Sequence, residues 1–202
     1  MERERLWELM RARHSVRRYL DRPIEAGAAA ALREEIERVK SESGLGVSLW
    51  LNEPEAFCAG RPHYGHFANC RNYIVLAGRR GDDRKVGYYG ERLVLAAQDL
   101  GLNSCWVALT YEHGKVPVAL AEGEKIFDLI ALGYGETQGT PHKSKPLSRV
   151  AKLADDDPAW YREGLEAALL APTAINQQRF YFERTGETSV SVKALLGPCS
   201  KT

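Results

Sequence analysis

The chain has 202 residues, of which 44% are hydrophobic and 27% charged, proportions ordinary for a globular protein with one core or two small ones. Its formal net charge of +1 gives no global reason to bind nucleic acid or an anionic membrane. No apolar run approaches the ~20 residues of a membrane span, and the first residues lack the apolar segment of a signal peptide, so we expect neither.

The four cysteines, at positions 58, 70, 105 and 199, are scattered without a C-x-x-C or zinc spacing. This pattern indicates free thiols and predicts a cytoplasmic location. Two histidines, at 63 and 66, are spaced well enough to ligate a metal. No nearby carboxylate or thiol completes a ligand set, so we expect no metal site.

The first distinctive stretch is RHSVRRY at residues 13–19, which follows a short apolar-periodic segment typical of a helix. Pro23 lies shortly beyond, so we expect the stretch to leave the helix in extended form. Alternate side chains of an extended segment point the same way, which would place Arg13, Ser15 and Arg17 on one surface. Two guanidiniums and a hydroxyl can bind a phosphate and the polyol next to it. The alternative is a solvated basic turn.

The remaining elements follow from hydrophobic periodicity. Residues 25–40 predict an amphipathic helix and residues 47–51 a strand. Buried strands are then predicted at 72–78, 103–109 and 126–135, with helices at 86–100 and around 116–121 between them. A further helix is predicted to begin with Asp157 as its cap and Pro158 in its first turn, and to precede a hairpin over 179–184 and 189–192. The alternation predicts an α/β or α+β protein with helices against a sheet.

Two further polar segments lie late in the chain. Residues 172–178, PTAINQQ, contain side-chain hydroxyl and amide groups just past a predicted helix end. An amide donates and accepts hydrogen bonds at once, which suits the edge of a planar heterocycle, although a polar turn is the alternative. Lys143 and Lys145 form either a second cationic grip for phosphate or a solvated loop. With residues 13–17 and 101–106, these segments could meet around one ligand.

Five segments taken together resemble the nitroreductase family of flavoenzymes. They are RHSVR at 13–17, GLNSCW at 101–106, LGY at 132–134, KSK at 143–145 and APTAINQQ at 171–178. The resemblance implies an α+β fold, specifically a three-layer flavoprotein with a mixed, mainly antiparallel sheet and helices packed on it. It implies FMN held non-covalently, reduced by NADH or NADPH, with electrons passed to nitroaromatics, quinones or similar small-molecule acceptors.

Mapped by motif, the resemblance assigns the phosphate and ribityl chain to the basic stretch, further phosphate contacts to the two lysines, and the isoalloxazine ring to the amide segment and the end of the third strand. The residues so assigned to cofactor binding are Arg13, His14, Ser15, Arg17, Trp106, Val107, Ala108, Lys143, Lys145, Pro172, Thr173, Ala174, Asn176 and Gln178. No catalytic side chain is assigned, because the redox chemistry belongs to the cofactor.

The sequence departs from the common family pattern in its order. The amide motif is near the C-terminus, as in a smaller branch of the family, and Arg179-Phe180 stands where Pro-Trp is usual. Residues 21–51 and 155–184 share an order of proline, amphipathic helix and strand. We therefore expect a single domain over 1–202, with two degenerate half-repeats (1–150 and 151–202) as the alternative. We also expect the natural chain to continue past Thr202.

The leading functional hypothesis is an FMN-dependent NAD(P)H oxidoreductase acting as a homodimer. A monomer in which an internal pseudo-repeat mimics the dimer is the alternative assembly. A non-catalytic flavin- or nucleotide-binding module is the alternative function. RNA binding is disfavoured, because the basic patch is short and no aromatic-rich strand motif accompanies it.

Overall fold

The structure is a computed structural model that describes residues 2–57 and 66–195. Two compact units make up the chain, Met1–Thr140 and Pro141–Thr202. Residues 58–65 and those beyond 195 lie outside the described part, and so do the predictions that concern Cys58, His63 and Cys199. Whether the chain contains two half-repeats stays a prediction.

The first unit contains three helices and a four-stranded sheet. The helices are α1 (Arg3–Ala12), α2 (Ala26–Ser43) and α3 (Asp83–Asp99), and the strands are β1 (Gly46–Trp50), β2 (Asn72–Arg79), β3 (Asn103–Val107) and β4 (Glu124–Gly133). Short 3-10 helices occupy Glu55–Phe57 and His113–Lys115. The strand order is β1-β2-β4-β3, and every neighbouring pair is antiparallel. The predicted α+β class with helices packed on a mainly antiparallel sheet is confirmed.

The sheet separates two apolar clusters. Strand β2 is an interior strand and is buried along nearly its whole length, which explains why its sequence is continuously apolar rather than alternating. On one face the sheet packs against α2 and α3, with Leu32, Leu93 and Leu132 among the fully buried side chains. On the other face the described covering consists of residues 16–19 and parts of the two 3-10 helices and their flanks.

One predicted element of this unit is wrong. The helix expected around residues 116–121 is absent; the chain forms the 3-10 turn His113–Lys115 and then continues without helix through residue 121. Pro117 explains the difference, because proline donates no backbone hydrogen bond and disfavours helical conformation in the residue before it. The C-terminus of α3 follows the prediction, since Gly101 has φ +76° one residue after the cap.

The second unit contains helix α4 (Ala159–Leu170) and a hairpin of β5 (Phe180–Arg184) and β6 (Val190–Ala194), with short 3-10 helices at Leu147–Arg149 and Ala174–Asn176. Its small core is formed by Ala151, Tyr161 and Leu165. The predicted helix and hairpin are confirmed. Asp157 does not cap α4 as expected; its carboxylate instead accepts from the Ala154 amide at 2.7 Å and pairs with Arg184.

No helix in the described residues combines the length and apolar character needed to cross a membrane.

Candidate functional site

The basic stretch leaves α1 in the extended form that the sequence predicts. Arg13 has φ −73° and ψ 117° directly after the helix end. Ser15 then forms a parallel bridge with Ser104 of β3, and the Val16 amide donates to the Ser104 carbonyl at 2.9 Å. Tyr19 closes the segment by donating its hydroxyl to the Val16 carbonyl at 2.7 Å. The segment is therefore fixed against the start of β3.

The side chains of this stretch differ in their exposure to solvent. Arg13 is only 3% exposed, whereas His14, Ser15 and Arg17 are partly exposed. The sequence prediction placed Arg13, Ser15 and Arg17 together, because it assumed an extended segment with one free face. The structure leaves His14, Ser15 and Arg17 accessible to a ligand and places Arg13 inside the protein.

Arg13 lies beside the carboxylate of Glu91, which no sequence pattern identifies as part of the site. Its Nε is 3.5 Å from Oε1 of Glu91 on α3, and the other carboxylate oxygen of Glu91 accepts a hydrogen bond from Trp106 Nε1 at 3.0 Å. Burial raises the pKa of Glu91, while the Arg13 charge and the Trp106 hydrogen bond oppose that rise. No local signal distinguishes Glu91 from the other acidic residues of the helix, since its partners are distant in sequence.

Trp106 is held by packing as well as by this hydrogen bond. A Cβ atom added to Gly90 would meet the Trp106 indole and would lie 2.8 Å from Cδ1 of Leu76. The indole therefore occupies the space that a side chain at position 90 would need. Val107, the last residue of β3, is buried, and Ala108 just beyond the strand is exposed. Of the three residues on this strand that the resemblance assigns to the ring, Ala108 is thus the most exposed.

Ser15 and Arg17 both act on the thiol of Cys105. Burial raises the pKa of Cys105, and the Arg17 charge, a hydrogen bond with Ser15 and the Arg13 charge oppose that rise. Cys105 is 2% exposed, which agrees with the buried strand predicted over residues 103–109. The two polar side chains of the stretch are therefore close to the same part of β3.

A glycine-rich turn after β4 completes this region of the first unit. Asn103 accepts from the Gly135 amide and donates to Gln138 Oε1, each at 2.9 Å. Gly139 has φ +78°, and a Cβ atom there would lie 2.7 Å from Cβ of His14. Only glycine fits this close approach. The segments at 13–17, 101–106 and 132–135 consequently meet in the first unit. The wider grouping expected from the sequence, of 13–17 and 101–106 with the two late segments around one ligand, stays a prediction.

The other two segments of the resemblance meet in the second unit. Gln178 is 1% exposed, and its side-chain oxygen accepts from the Lys145 amide at 2.8 Å. Its Nε2 donates to the Lys143 carbonyl at 2.9 Å and to the Asn176 side-chain oxygen at 2.6 Å. Lys145 Nζ donates to the carbonyls of Gln177 and Gln178 at 2.6 and 3.1 Å. We call this hydrogen-bonded set, residues 143–145 and 173–178, the amide loop.

The amide loop has an unusual backbone. Ile175, Asn176 and Gln178 all have positive φ, between 46° and 54°. Asparagine tolerates this conformation, but a β-branched isoleucine is strained there, and Ile175 is also 60% exposed. Thr173 Oγ1 accepts from the Gln178 amide at 3.0 Å and supports the turn.

The expected cofactor contacts of this loop divide into two groups. The side chains of Lys145, Asn176 and Gln178 are engaged inside the loop, and Asn176 uses both its oxygen and its nitrogen there. Lys143 and Ala174 are exposed, while Pro172 and Thr173 are partly exposed. The second group is the one that remains accessible to a ligand.

These features define an α+β protein of nitroreductase fold. A crystal structure of a "putative nitroreductase" from Thermotoga maritima matches with 21% identity, 94% of this chain and 75% of that chain covered, and a TM-score of 0.60. A "putative nitroreductase in complex with FMN" from Desulfovibrio desulfuricans matches with 20% identity, 76% and 96% coverage, and a TM-score of 0.55. A nitroreductase with bound FMN from Bacteroides fragilis matches with 21% identity, 70% and 93% coverage, and a TM-score of 0.51.

The family follows from the sequence itself. The family described as "Putative TM nitroreductase" matches residues 5–202, and the chain belongs to that family. Its class is therefore that of the nitroreductase-like oxidoreductases. A search of curated proteins gave no match.

Proposed function

We propose that the protein is an FMN-dependent NAD(P)H oxidoreductase that passes electrons to a nitroaromatic, a quinone or a related small acceptor. The observation that carries this proposal is the meeting of the basic stretch with the start of β3 and the turn after β4 in one region of the first unit. Two of the similar structures contain FMN by their descriptions, which supports flavin as the cofactor class.

The accessible side chains of the first unit have the chemical groups that binding of FMN requires. Arg17 and Ser15 are partly exposed, and both lie close to Cys105. A guanidinium and a hydroxyl are therefore available in one place for a phosphate and a ribityl chain. His14 offers an imidazole next to them. FMN, when bound, supplies the hydride and electron chemistry. The residues of this unit would bind and orient it, with the exposed residue Ala108 on the side that the resemblance assigns to the ring.

In the second unit, only some of the residues that the resemblance assigns to the cofactor are accessible to a ligand. Lys143 is available for an anion, and Pro172, Thr173 and Ala174 are available for an aromatic ring edge. Lys145, Asn176 and Gln178 contribute by holding the loop in its strained conformation rather than by a free side chain. These roles are proposed for that unit by itself.

A non-catalytic flavin- or nucleotide-binding module is the second candidate. The observation in its favour is that several expected contacts are used within the protein: Arg13 pairs with Glu91, and Lys145 donates to backbone carbonyls. A protein of this kind would bind flavin and leave it unreduced by nicotinamide.

We further propose a cytoplasmic homodimer. The family resemblance supports the dimer, which would be isologous and would carry two equivalent sites. The scattered cysteines support the reducing compartment. Light scattering with FMN present tests the assembly: a dimeric mass supports it, and a monomeric mass with saturable FMN binding rejects it in favour of the internal pseudo-repeat.

Equilibrium binding of FMN tests the proposed cofactor. Quenching of flavin fluorescence by the purified protein should saturate, and Arg17→Ala should weaken FMN by about ten- to a hundredfold, because a charge-assisted contact is worth about 1.5–3 kcal/mol. Arg80→Ala provides a matched control, since Arg80 is an exposed arginine on the turn after β2. Absence of saturable binding at high micromolar concentrations would reject the flavin assignment.

A further inference from the structure

We propose that Glu91 is a positioning residue that ties Arg13 and Trp106 together, so that Arg13 shapes the cofactor site while Arg17 provides selectivity for the phosphate. This inference rests on the proposed FMN binding. It changes the role that the sequence pattern gives to Arg13, from a phosphate contact to a buried support.

The geometry of the carboxylate carries the inference. Glu91 uses one oxygen for Arg13 Nε at 3.5 Å and the other for Trp106 Nε1 at 3.0 Å. Arg13 opens the basic stretch, and Trp106 precedes the open end of β3. One side chain on α3 therefore connects two segments that the resemblance assigns to opposite ends of the same cofactor.

Burial separates the roles of the two arginines. Arg13 is 3% exposed, so an anion could reach its guanidinium only if the side chain left its place beside Glu91. That movement would leave the partly buried Glu91 carboxylate without its cation, which is unfavourable. Arg17 is partly exposed and pairs with no carboxylate among the described residues, so it can meet a phosphate from solvent without breaking such a pair.

The Trp106 side of the bridge is closely packed. The indole fills the space above Gly90, and its Nε1–H donates to Glu91. This packing restrains the end of β3, which Val107 forms. Glu91 therefore acts on the ring side of the site through Trp106 and on the phosphate side through Arg13.

Comparison of FMN with riboflavin tests the division of roles, because riboflavin lacks the phosphate. We expect Arg17→Ala to weaken FMN about ten- to a hundredfold while riboflavin binding changes little. We expect Arg13→Met, which keeps the length of the side chain, to weaken both ligands by the same factor. Loss of FMN affinity in Arg13→Met at least tenfold greater than the loss of riboflavin affinity would overturn the inference.

A second measurement tests the bridge without any flavin. Among the described groups that act on Glu91, the charge comes from Arg13 after α1 and the hydrogen bond from Trp106 on β3. The indole ¹⁵N–¹H resonance of Trp106, assigned with Trp106→Phe, should shift with pH as Glu91 is protonated, and Glu91→Gln should abolish this shift. The amide introduced by that substitution cannot titrate, although its oxygen can still accept from the indole.

The variants at Arg13 should change the midpoint of this pH-dependent shift in a predicted order. Arg13→Met removes the cation and should raise the midpoint of the shift, and Arg13→Lys, which restores the charge, should return it toward the wild-type value. A Trp106 resonance that ignores pH, or a midpoint unchanged in Arg13→Met, would refute the bridge. If the protein binds no flavin, the proposed function fails, and the titration still decides whether Glu91 connects the two residues.

Discussion

Gly90 leaves no space for a side chain beneath the indole of Trp106. Gly90→Ala should therefore destabilise the fold by about 1–3 kcal/mol, since overpacking a core outweighs the gain of roughly 1 kcal/mol in helix propensity. Urea denaturation followed by circular dichroism measures the change.

Gly87 provides the matched control on the same helix. It is exposed, and a Cβ atom there would meet nothing within 4 Å, so Gly87→Ala should stabilise the protein by about 0.5–1 kcal/mol. If Gly90→Ala, like Gly87→Ala, is at least as stable as the wild type, the tight packing of Trp106 on α3 is refuted.

Asp128 on β4 predicts a pH dependence of stability. Burial raises its pKa from 3.8 to about 6. The folded state then holds more protons than the unfolded state between about pH 4 and 6, so the free energy of unfolding falls as the pH rises through that window. Asp128→Asn removes this term and should stabilise the protein at pH 7 by at most about 3 kcal/mol.

Urea denaturation at pH 5, 6 and 7 measures this difference. Glu122→Gln is the control, because it removes one negative charge from an exposed position of the same unit. A stability difference between Asp128→Asn and the wild type that stays constant over the whole range would show that Asp128 has an ordinary pKa.

Gln178 holds the amide loop together from inside. Gln178→Leu keeps the size of the side chain but deprives the Lys145 amide of its acceptor, while the Lys143 carbonyl keeps its hydrogen bond from Asn176 Nδ2. An unsatisfied buried amide costs about 1–3 kcal/mol, so the loop should open roughly ten- to a hundredfold more often. Hydrogen exchange read by mass spectrometry over residues 143–145 measures this.

Gln177→Leu is the neighbouring control. Lys145 Nζ donates to the backbone carbonyl of Gln177, and the substitution leaves that carbonyl in place. We expect protection over residues 143–145 to stay close to wild type in this variant. Equal loss of protection in both variants would mean that the Gln178 side chain has no special role in the loop.

Hydrophobic periodicity was sufficient to predict most of the fold. The buried runs at β2, β3 and β4 and the periodic faces of α2 and α3 were recognisable because burial imposes a regular pattern on the sequence. The helix predicted near residue 116 does not form, because Pro117 opposes helical conformation there although the surrounding residues are apolar. The cap expected of Asp157 failed because its carboxylate has a tertiary partner in Arg184.

The candidate site was only partly predictable, for a physical reason. Residue types identified the basic stretch and the amide segment, since guanidinium and amide groups are chemically distinctive. The same groups also satisfy internal partners, and the sequence does not show which partner wins. Arg13 is paired with Glu91, and Gln178 is bonded to the backbone of residues 143 and 145, both through contacts distant in sequence.

Anaerobic mixing of the FMN-loaded protein with NADH or NADPH tests the proposed oxidoreductase activity. The chain shows no Rossmann G-x-G-x-x-G pattern, so nicotinamide and acceptor would use the same flavin face in turn, with ping-pong kinetics. We expect the visible flavin absorbance to bleach with at least one nucleotide and to return when a quinone or nitroaromatic is added. Protein that binds FMN saturably but keeps its full absorbance with both nucleotides would contradict the oxidoreductase assignment and establish the binding module in its place.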